Sequence, residues 1–184
     1  ETITFNIEDS IEGWGLALDA LMMSFFNGSE KISFDGSQIR EEGAFISGGF
    51  KAPGYEPLKK TLELIEKLLQ DKINQSDFKM SSLDAHEIIL ISSDAVLSAG
   101  VRRSALICLF DKDDDLMLNC KTGYWFYKKP HLAKSNKTIK LVLGEFTKEE
   151  FDTLKTSVKE FGEPGIAIVR DIDFTTNPCF EIGF

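Results

Sequence analysis

The chain has 184 residues, 42% of them hydrophobic and 15 of them phenylalanine, which suffices for one substantial core and falls short of two, so residues 1–184 read as a single domain. Thirty acidic residues against twenty-one basic ones leave a net charge of −9, which repels phosphate backbones and argues against broad nucleic-acid binding. No run is long enough to cross a bilayer and no basic segment followed by an apolar one marks an export signal, so the expected setting is cytoplasmic, with no membrane partner.

Residues 1–7 alternate apolar and polar side chains through Ile3, Phe5 and Ile7, the period of a strand. Asp9 is placed to cap a helix, with Glu12 as its returning partner, and Ile11, Trp14, Leu18, Leu21, Met22 and Phe25 fall on one helical stripe. Residues 27–57 are dense in glycine and turn formers and read as an ordered, irregular excursion. Pro57 suits a first helical position, and Leu58, Leu62, Ile65 and Leu69 continue an amphipathic helix to about residue 73. Ser81 caps a further helix carrying Leu83, Ile88, Ile91 and Ala95, which Gly100 ends.

The apolar run 104–110 reads as a strand covered on both faces, and a short acidic helix follows, with Asp113 to Asp115 at the positive end of its dipole. Residues 138–143 form another strand. Thr147 and Glu150 make a capping box for a helix ending near Gly162, and residues 165–171 supply the next strand. Apolar strands alternating with helices point to a parallel α/β sheet or barrel segment.

Cys108, Cys120 and Cys179 match neither a disulfide framework nor the paired spacing of a zinc site, so reduced thiols are expected, with a catalytic role open to one of them. The acidic stretch 111–115 imitates a calcium loop but has Leu116 and Thr122 where that loop needs glycine and glutamate. His86 and His131 lack a second ligand at useful spacing, so no metal is expected.

Four stretches in order carry a resemblance: "EDSIEGWGLALDALMMSFFNG", "SQIREEGAFISGGFKAPGYEPL", "AGVRRSALICLF" with "KTGYWF" after it, and "GEPGIAIVRDIDFTTNPCFEI". Together they resemble the catalytic chain of ribonucleotide reductase, most closely the adenosylcobalamin-dependent class II enzymes. The resemblance runs along nearly the whole chain and corresponds to a central portion of such a reductase. It implies an α/β fold: the parallel five-stranded half of a ten-stranded α/β barrel, with the finger loop at the C-terminal end. The expectation is a chain that ends just after that loop and needs the remaining part of the reductase chain as partner. An open half-barrel leaves strand edges uncovered, so self-association as a homo-oligomer is the other way to cover them.

The resemblance also assigns roles. Cys179 matches the radical cysteine; a thiyl radical takes hydrogen from an activated ribose carbon because S–H and C–H bonds have similar strengths. Glu181 matches the carboxylate that accepts the 3′-hydroxyl proton, and Asn177 the amide that orients the substrate hydroxyls. Ser98, Ala99, Gly100, Val101, Arg102 and Arg103 match the specificity loop between the substrate base and an allosteric deoxynucleoside triphosphate. Asp9 falls where the effector nucleoside binds and Arg40 where an effector phosphate is held. The implied cofactor is adenosylcobalamin, with no binding residue for it identifiable in the chain, and the implied substrate is a ribonucleoside di- or triphosphate.

Departures from the family pattern qualify this. The opening strand, "ETITFNIED", has no cysteine where the family's first reducing cysteine lies, and Cys108 and Cys120 lie in other motifs. Ser135, Asn136, Lys137 and Thr138 stand where the family tends to show two asparagines before a serine. The chain alone is therefore not expected to complete nucleotide reduction. A non-catalytic, nucleotide-binding or regulatory relative is the alternative reading, and an interaction scaffold a third.

Overall fold

A computed structural model describes residues 2–28, 30–96, 105–180 and 183, which divide into two compact units: Glu1–Lys79 with Ile91–Arg103, and Met80–Leu90 with Ser104–Phe184. In the first unit, strand β1 (Thr2–Asn6) pairs in parallel with β2 (Lys31–Asp35), Phe5 opposite Phe34. Helix α1 (Ile11–Phe26) provides the crossover that parallel strands require. β2 arises inside the stretch expected to be irregular. Its Ile32 and Phe34 alternate with polar residues, so the period of a strand is present there on a short scale, hidden among turn formers.

The cap of α1 also differs from expectation. Ser10, not Asp9, is the N-cap: it is extended, and its hydroxyl accepts from the Gly13 N–H at 2.9 Å. A side chain on Gly13 would meet the Glu8 carbonyl at 2.5 Å, so glycine is what lets the first turn close against the preceding loop. The buried residues of α1 are Gly13, Ala17 and Leu21, whereas Ile11 is exposed. The helix thus rests on a narrower, smaller-residue stripe than the one its large side chains suggest.

After β2, the Asp35 carboxylate accepts from the Ser37 N–H, which holds its pKa below the usual carboxylate value. Residues 44–52 form a small hairpin, with Phe45 bridged to Lys51 and Ala52 bonded to Ala44, turning through Gly48 and Gly49 at positive φ. Helix α2 (Glu56–Asn74) has proline in its first turn and buries Leu58, Leu62, Ile65 and Leu69, the predicted stripe, together with Thr61. The Thr61 hydroxyl donates to the Ile91 carbonyl at 3.3 Å, which meets the hydrogen-bonding need of a buried hydroxyl.

Helix α3 (Ser82–Ala95) contributes its residues through Leu90 to the second unit and Ile91–Ala95 to the first. Ser81 caps it as expected, exchanging bonds with Asp84: the Asp84 N–H reaches the Ser81 hydroxyl at 3.1 Å, and the Ser81 N–H reaches the Asp84 carboxylate at 2.9 Å. In the second unit β3 (Leu106–Asp111), β4 (Ser135–Val142) and β5 (Gly165–Val169) pair in parallel in chain order. Two short helices, α4 (Asp115–Asn119) and α5 (Trp125–Lys128), lie in the first crossover and α6 (Lys148–Phe161) in the second. The capping box of Thr147 and Glu150 is formed, and Gly162 closes α6 at φ 75°.

One face of this sheet packs Phe110, Ile139 and Leu141 against Met117 of α4 and Leu154 of α6. Each such fully buried side chain contributes about 1.5–3 kcal/mol. The apolar β3, expected to be covered on both faces, is an edge strand of intermediate burial, while the polar-looking β4 is central and largely buried.

The α/β class and the parallel pairing agree with the sequence reading. The described strands pair as one sheet of two and one of three rather than as a continuous sheet of five. No helix among the described residues is long and apolar enough to cross a membrane.

Candidate functional site

The predicted site residues that are described fall in two places, one in each unit. In the first unit a cavity of about 410 Å³ opens at the start of α1. Its walls are mainly apolar, with Trp14 and Leu18 from α1, Ile39, and Leu58 from α2 among them. This is why Trp14 and Leu18 are only half-buried although they lie on the predicted stripe: they face the cavity.

Asp9 and Arg40 lie together at this cavity, as the Arg40 Nε–H donates to Asp9 Oδ2 at 2.6 Å. Because Ser10 takes the capping role, the Asp9 carboxylate is left to pair. The two side chains are 31% and 43% exposed, and a pair this open to water adds little stability. Its value is positional, since it holds the guanidinium over the cavity through Nε. Ser47, Pro53 and Gly54 of the glycine-rich segment also line it.

In the second unit the chain returns from β5 along the sheet face opposite the helices. Side chains alternate along β4, so Ser135, Lys137, Ile139 and Leu141 point to the helix side and Asn136 and Lys140 to the other. The Lys140 ammonium donates to the Ile172 carbonyl, and the Asn136 side-chain amide donates to the Pro178 carbonyl at 3.1 Å. Two side chains of one strand thus strap the returning segment at both ends.

That segment ends in a tight turn. The Phe180 N–H bonds the Asn177 carbonyl at 2.9 Å, Phe180 adopts φ 67°, and Thr176 bridges Gly183. The Phe174 and Phe180 rings lie 6.3 Å apart, and a side chain at Gly183 would meet the Phe174 ring at 2.6 Å and displace it. Cys179 occupies the third turn position and is exposed, and Asn177 is the first residue of the same turn. Glu181 and the stretch Ser98, Ala99, Gly100, Val101, Arg102 and Arg103 lie outside the described residues.

The other two thiols sit elsewhere. Cys108 is on β3, where burial raises its pKa above the usual thiol value, and Cys120 caps the end of α4. Around them lies a buried polar group whose charges the sequence reading did not connect. Glu87 is 3% exposed and accepts from Lys129 Nζ at 2.5 Å and from His131 Nε2 at 2.7 Å. Burial pushes its pKa upward, but these bonds outweigh that and hold it below the usual value. His86 is hydrogen-bonded to the Ser135 hydroxyl at 2.9 Å, and burial, with help from Lys137 and Lys121, lowers its pKa to about 4. No group of three or more His, Cys, Asp or Glu side chains among the described residues is arranged to hold a metal ion.

Sequence reasoning singled out Asp9, Arg40, Asn177 and Cys179, which lie at the cavity and at the turn, and did not single out Ser10 or the strap residues Asn136 and Lys140. The signal for the strap was the two-residue alternation of 135–142, which puts both on the face away from the apolar set.

No protein-family profile matches the chain. Among curated proteins, an adenosylcobalamin-dependent ribonucleoside-triphosphate reductase of Lactobacillus delbrueckii subsp. bulgaricus is 29% identical, the match covering 99% of this chain and 27% of that protein. The enzyme of the same name from Lactobacillus leichmannii is 28% identical over 99% of this chain and 27% of its own length. A probable enzyme of that name from Dictyostelium discoideum is 30% identical over 96% of this chain and 25% of its own. The chain therefore spans about a quarter of the length of the curated relatives it matches.

Proposed function

Because the chain is related along nearly its whole length to one segment of adenosylcobalamin-dependent ribonucleoside-triphosphate reductases, we propose that it supplies the radical-cysteine segment of such a reductase. In this reading residues 1–184 form one partial domain, the two parallel sheets belong to one five-stranded half-barrel, and the segment after β5 is its finger loop. The observation that carries the reading is the exposure of Cys179 at the tip of a turn strapped to the sheet face opposite the helices. A barrel interior is such a face, and a sulfur presented there meets a substrate rather than a core.

The chemistry follows from the residue types. A thiyl radical on Cys179 takes a hydrogen atom from the ribose of a ribonucleoside triphosphate. Glu181 accepts the 3′-hydroxyl proton as the adjacent hydroxyl departs as water, and the Asn177 amide orients the hydroxyls without competing for that proton. Residues 98–103 relate base choice to an effector. The cavity at Asp9 and Arg40 takes the deoxynucleoside triphosphate effector: its apolar walls suit a base and sugar, Asp9 accepts from the deoxyribose 3′-hydroxyl, and Arg40 meets a phosphate through its planar fork.

The relatives depend on adenosylcobalamin, and the described residues do not form a cradle for it. The cavity of about 410 Å³ is too small for a corrin ring system, and both histidines are engaged, His86 with Ser135 and His131 with Glu87. In this reading the cofactor and the reducing thiols are supplied by the remaining part of a reductase.

The test is reconstitution. The chain is combined with the complementary portion of a relative, adenosylcobalamin, a dithiol and a ribonucleoside triphosphate, and deoxynucleotide is measured. Turnover that disappears on Cys179→Ala is expected; turnover that survives it, or none with the unaltered chain, overturns the proposal. The self-contained cavity of the first unit favours a second reading, a nucleotide-binding regulator without catalysis. Calorimetry tests it: deoxynucleoside triphosphate binding by the chain alone, lost on Arg40→Ala, combined with no turnover in reconstitution, would favour the regulator.

A further inference from the structure

Lys137 lies in the centre of β4, in register with Cys108 of β3, and is 2% exposed. An ammonium group in such a place needs strong compensation, which a carboxylate ordinarily supplies. Lys121 shows the ordinary solution: it is 5% exposed, and its Nζ meets Glu163 Oε1 at 2.5 Å and the Ser135 carbonyl at 2.6 Å. Among the described residues no carboxylate pairs with Lys137. Its Nζ instead reaches the Met117 carbonyl at 3.2 Å and the sulfur of Cys120.

Cys120 follows the last turn of α4, is half-buried, and its Sγ lies 3.4 Å from that same Met117 carbonyl. An amine and a thiol thus share one acceptor and touch each other, at a residue that is only half-buried. The nearest competing thiol, Cys108, is held in its protonated, poorly nucleophilic form by burial. Nothing in the reductase reading uses this pair.

We propose that Cys120 and Lys137 are an oxidation site, in which peroxide converts the Cys120 thiol to a sulfenic acid and the Lys137 amine captures it as a sulfenamide joining the end of α4 to β4. In the first step the Cys120 sulfur attacks a peroxide oxygen. An S–O bond forms, the O–O bond breaks, and the leaving hydroxide departs as water with the thiol proton. Sulfur loses two electrons and the peroxide gains them. In the second step the Lys137 ammonium gives up one proton to solvent and its nitrogen lone pair attacks the sulfur. The S–N bond forms, the S–O bond breaks, and the hydroxyl leaves as water with a proton from nitrogen. One peroxide is consumed, two waters are released, and an external thiol reverses the link by attacking the sulfur.

The test is peptide mapping by mass spectrometry of the full chain after graded hydrogen peroxide. The expected product is a cross-linked peptide holding Cys120 and Lys137, lighter by two hydrogens than its parts and separated by dithiothreitol. In Lys137→Arg, whose guanidinium is a poor nucleophile, dimedone labelling of Cys120 should rise severalfold as the uncaptured sulfenic acid accumulates. The unaltered chain decides the matter even where that variant fails to fold. Cys120 recovered as free thiol at a peroxide dose that oxidises the exposed Cys179, or joined to Cys108 in a disulfide, overturns the proposal.

Discussion

The cavity of the first unit and the turn of the second are built by opposite means. The cavity is made by regular elements: a capped helix, a second helix and a short hairpin enclose apolar walls, and the Asp9–Arg40 ion pair marks its edge. The turn is irregular backbone that two polar side chains of a strand hold against a sheet, and that strand is in turn fixed by a core on its other face. A cavity so built depends on local helix chemistry, whereas the position of Cys179 depends on tertiary packing transmitted through β4.

The largest break in this comparison is expected from Ile139→Ala. Ile139 is fully buried under α4 and α6, and its truncation should cost about 2–5 kcal/mol, read from urea unfolding of the second unit. The ion pair at the cavity, which draws on a different core, should be unaffected in its ligand response while the fold persists.

Next in size is the pH response of the second unit. His86 has its pKa lowered from 6.5 to about 4, so between those values the unfolded chain takes up a proton that the folded chain refuses. Stability should be full above about pH 6.5 and fall as pH drops through 4, by on the order of 3 kcal/mol in all. Glu87, also held below its usual pKa, adds a loss of the same sign at lower pH. Unfolding curves for His86→Gln should show a flatter dependence across that window; an unchanged slope would assign it to other groups.

A smaller effect separates the two regions from the other side. Ser10→Ala removes the cap of α1 and should cost about 1 kcal/mol, read as a melting shift of the first unit with no change in the alkylation rate of Cys179. Asn136→Ala should have the smallest effect on stability, about 1 kcal/mol or less for one partly exposed hydrogen bond, yet change the turn specifically. Faster amide exchange at Phe180 and a changed alkylation rate at Cys179 are expected. Equal rates in the variant and the unaltered chain would remove Asn136 from the strap.

Much of this arrangement was legible one element at a time. The stripe of α2, the caps at Ser81 and Thr147, and the strands expected at 104–110, 138–143 and 165–171 and found at 106–111, 135–142 and 165–169 all follow from periods and capping chemistry that act within a few residues. The errors are equally local in origin. Asp9 and Ser10 are both good caps, and only the approach of Gly13 to Glu8 and the pairing of Asp9 with Arg40, 31 residues away, decide between them. β2 was hidden because five residues of alternation are easily outweighed by flanking glycines, until β1 pairs with it. The expected two-sided burial of β3 was wrong because apolar content indicates affinity for a core, whereas strand order decides which strand is central.

By itself, the sequence determined the α/β class, most element positions, and the similarity to one segment of adenosylcobalamin-dependent reductases, since propensity, capping and motif order are written in neighbouring residues. Only the tertiary structure decided that Asp9 meets Arg40 at a cavity, that Cys179 stands exposed on a turn tied to Asn136, and that a buried lysine rests on Cys120. Those contacts join residues far apart in the chain, and their geometry is set by how helices and strands pack, which no local pattern of side chains specifies.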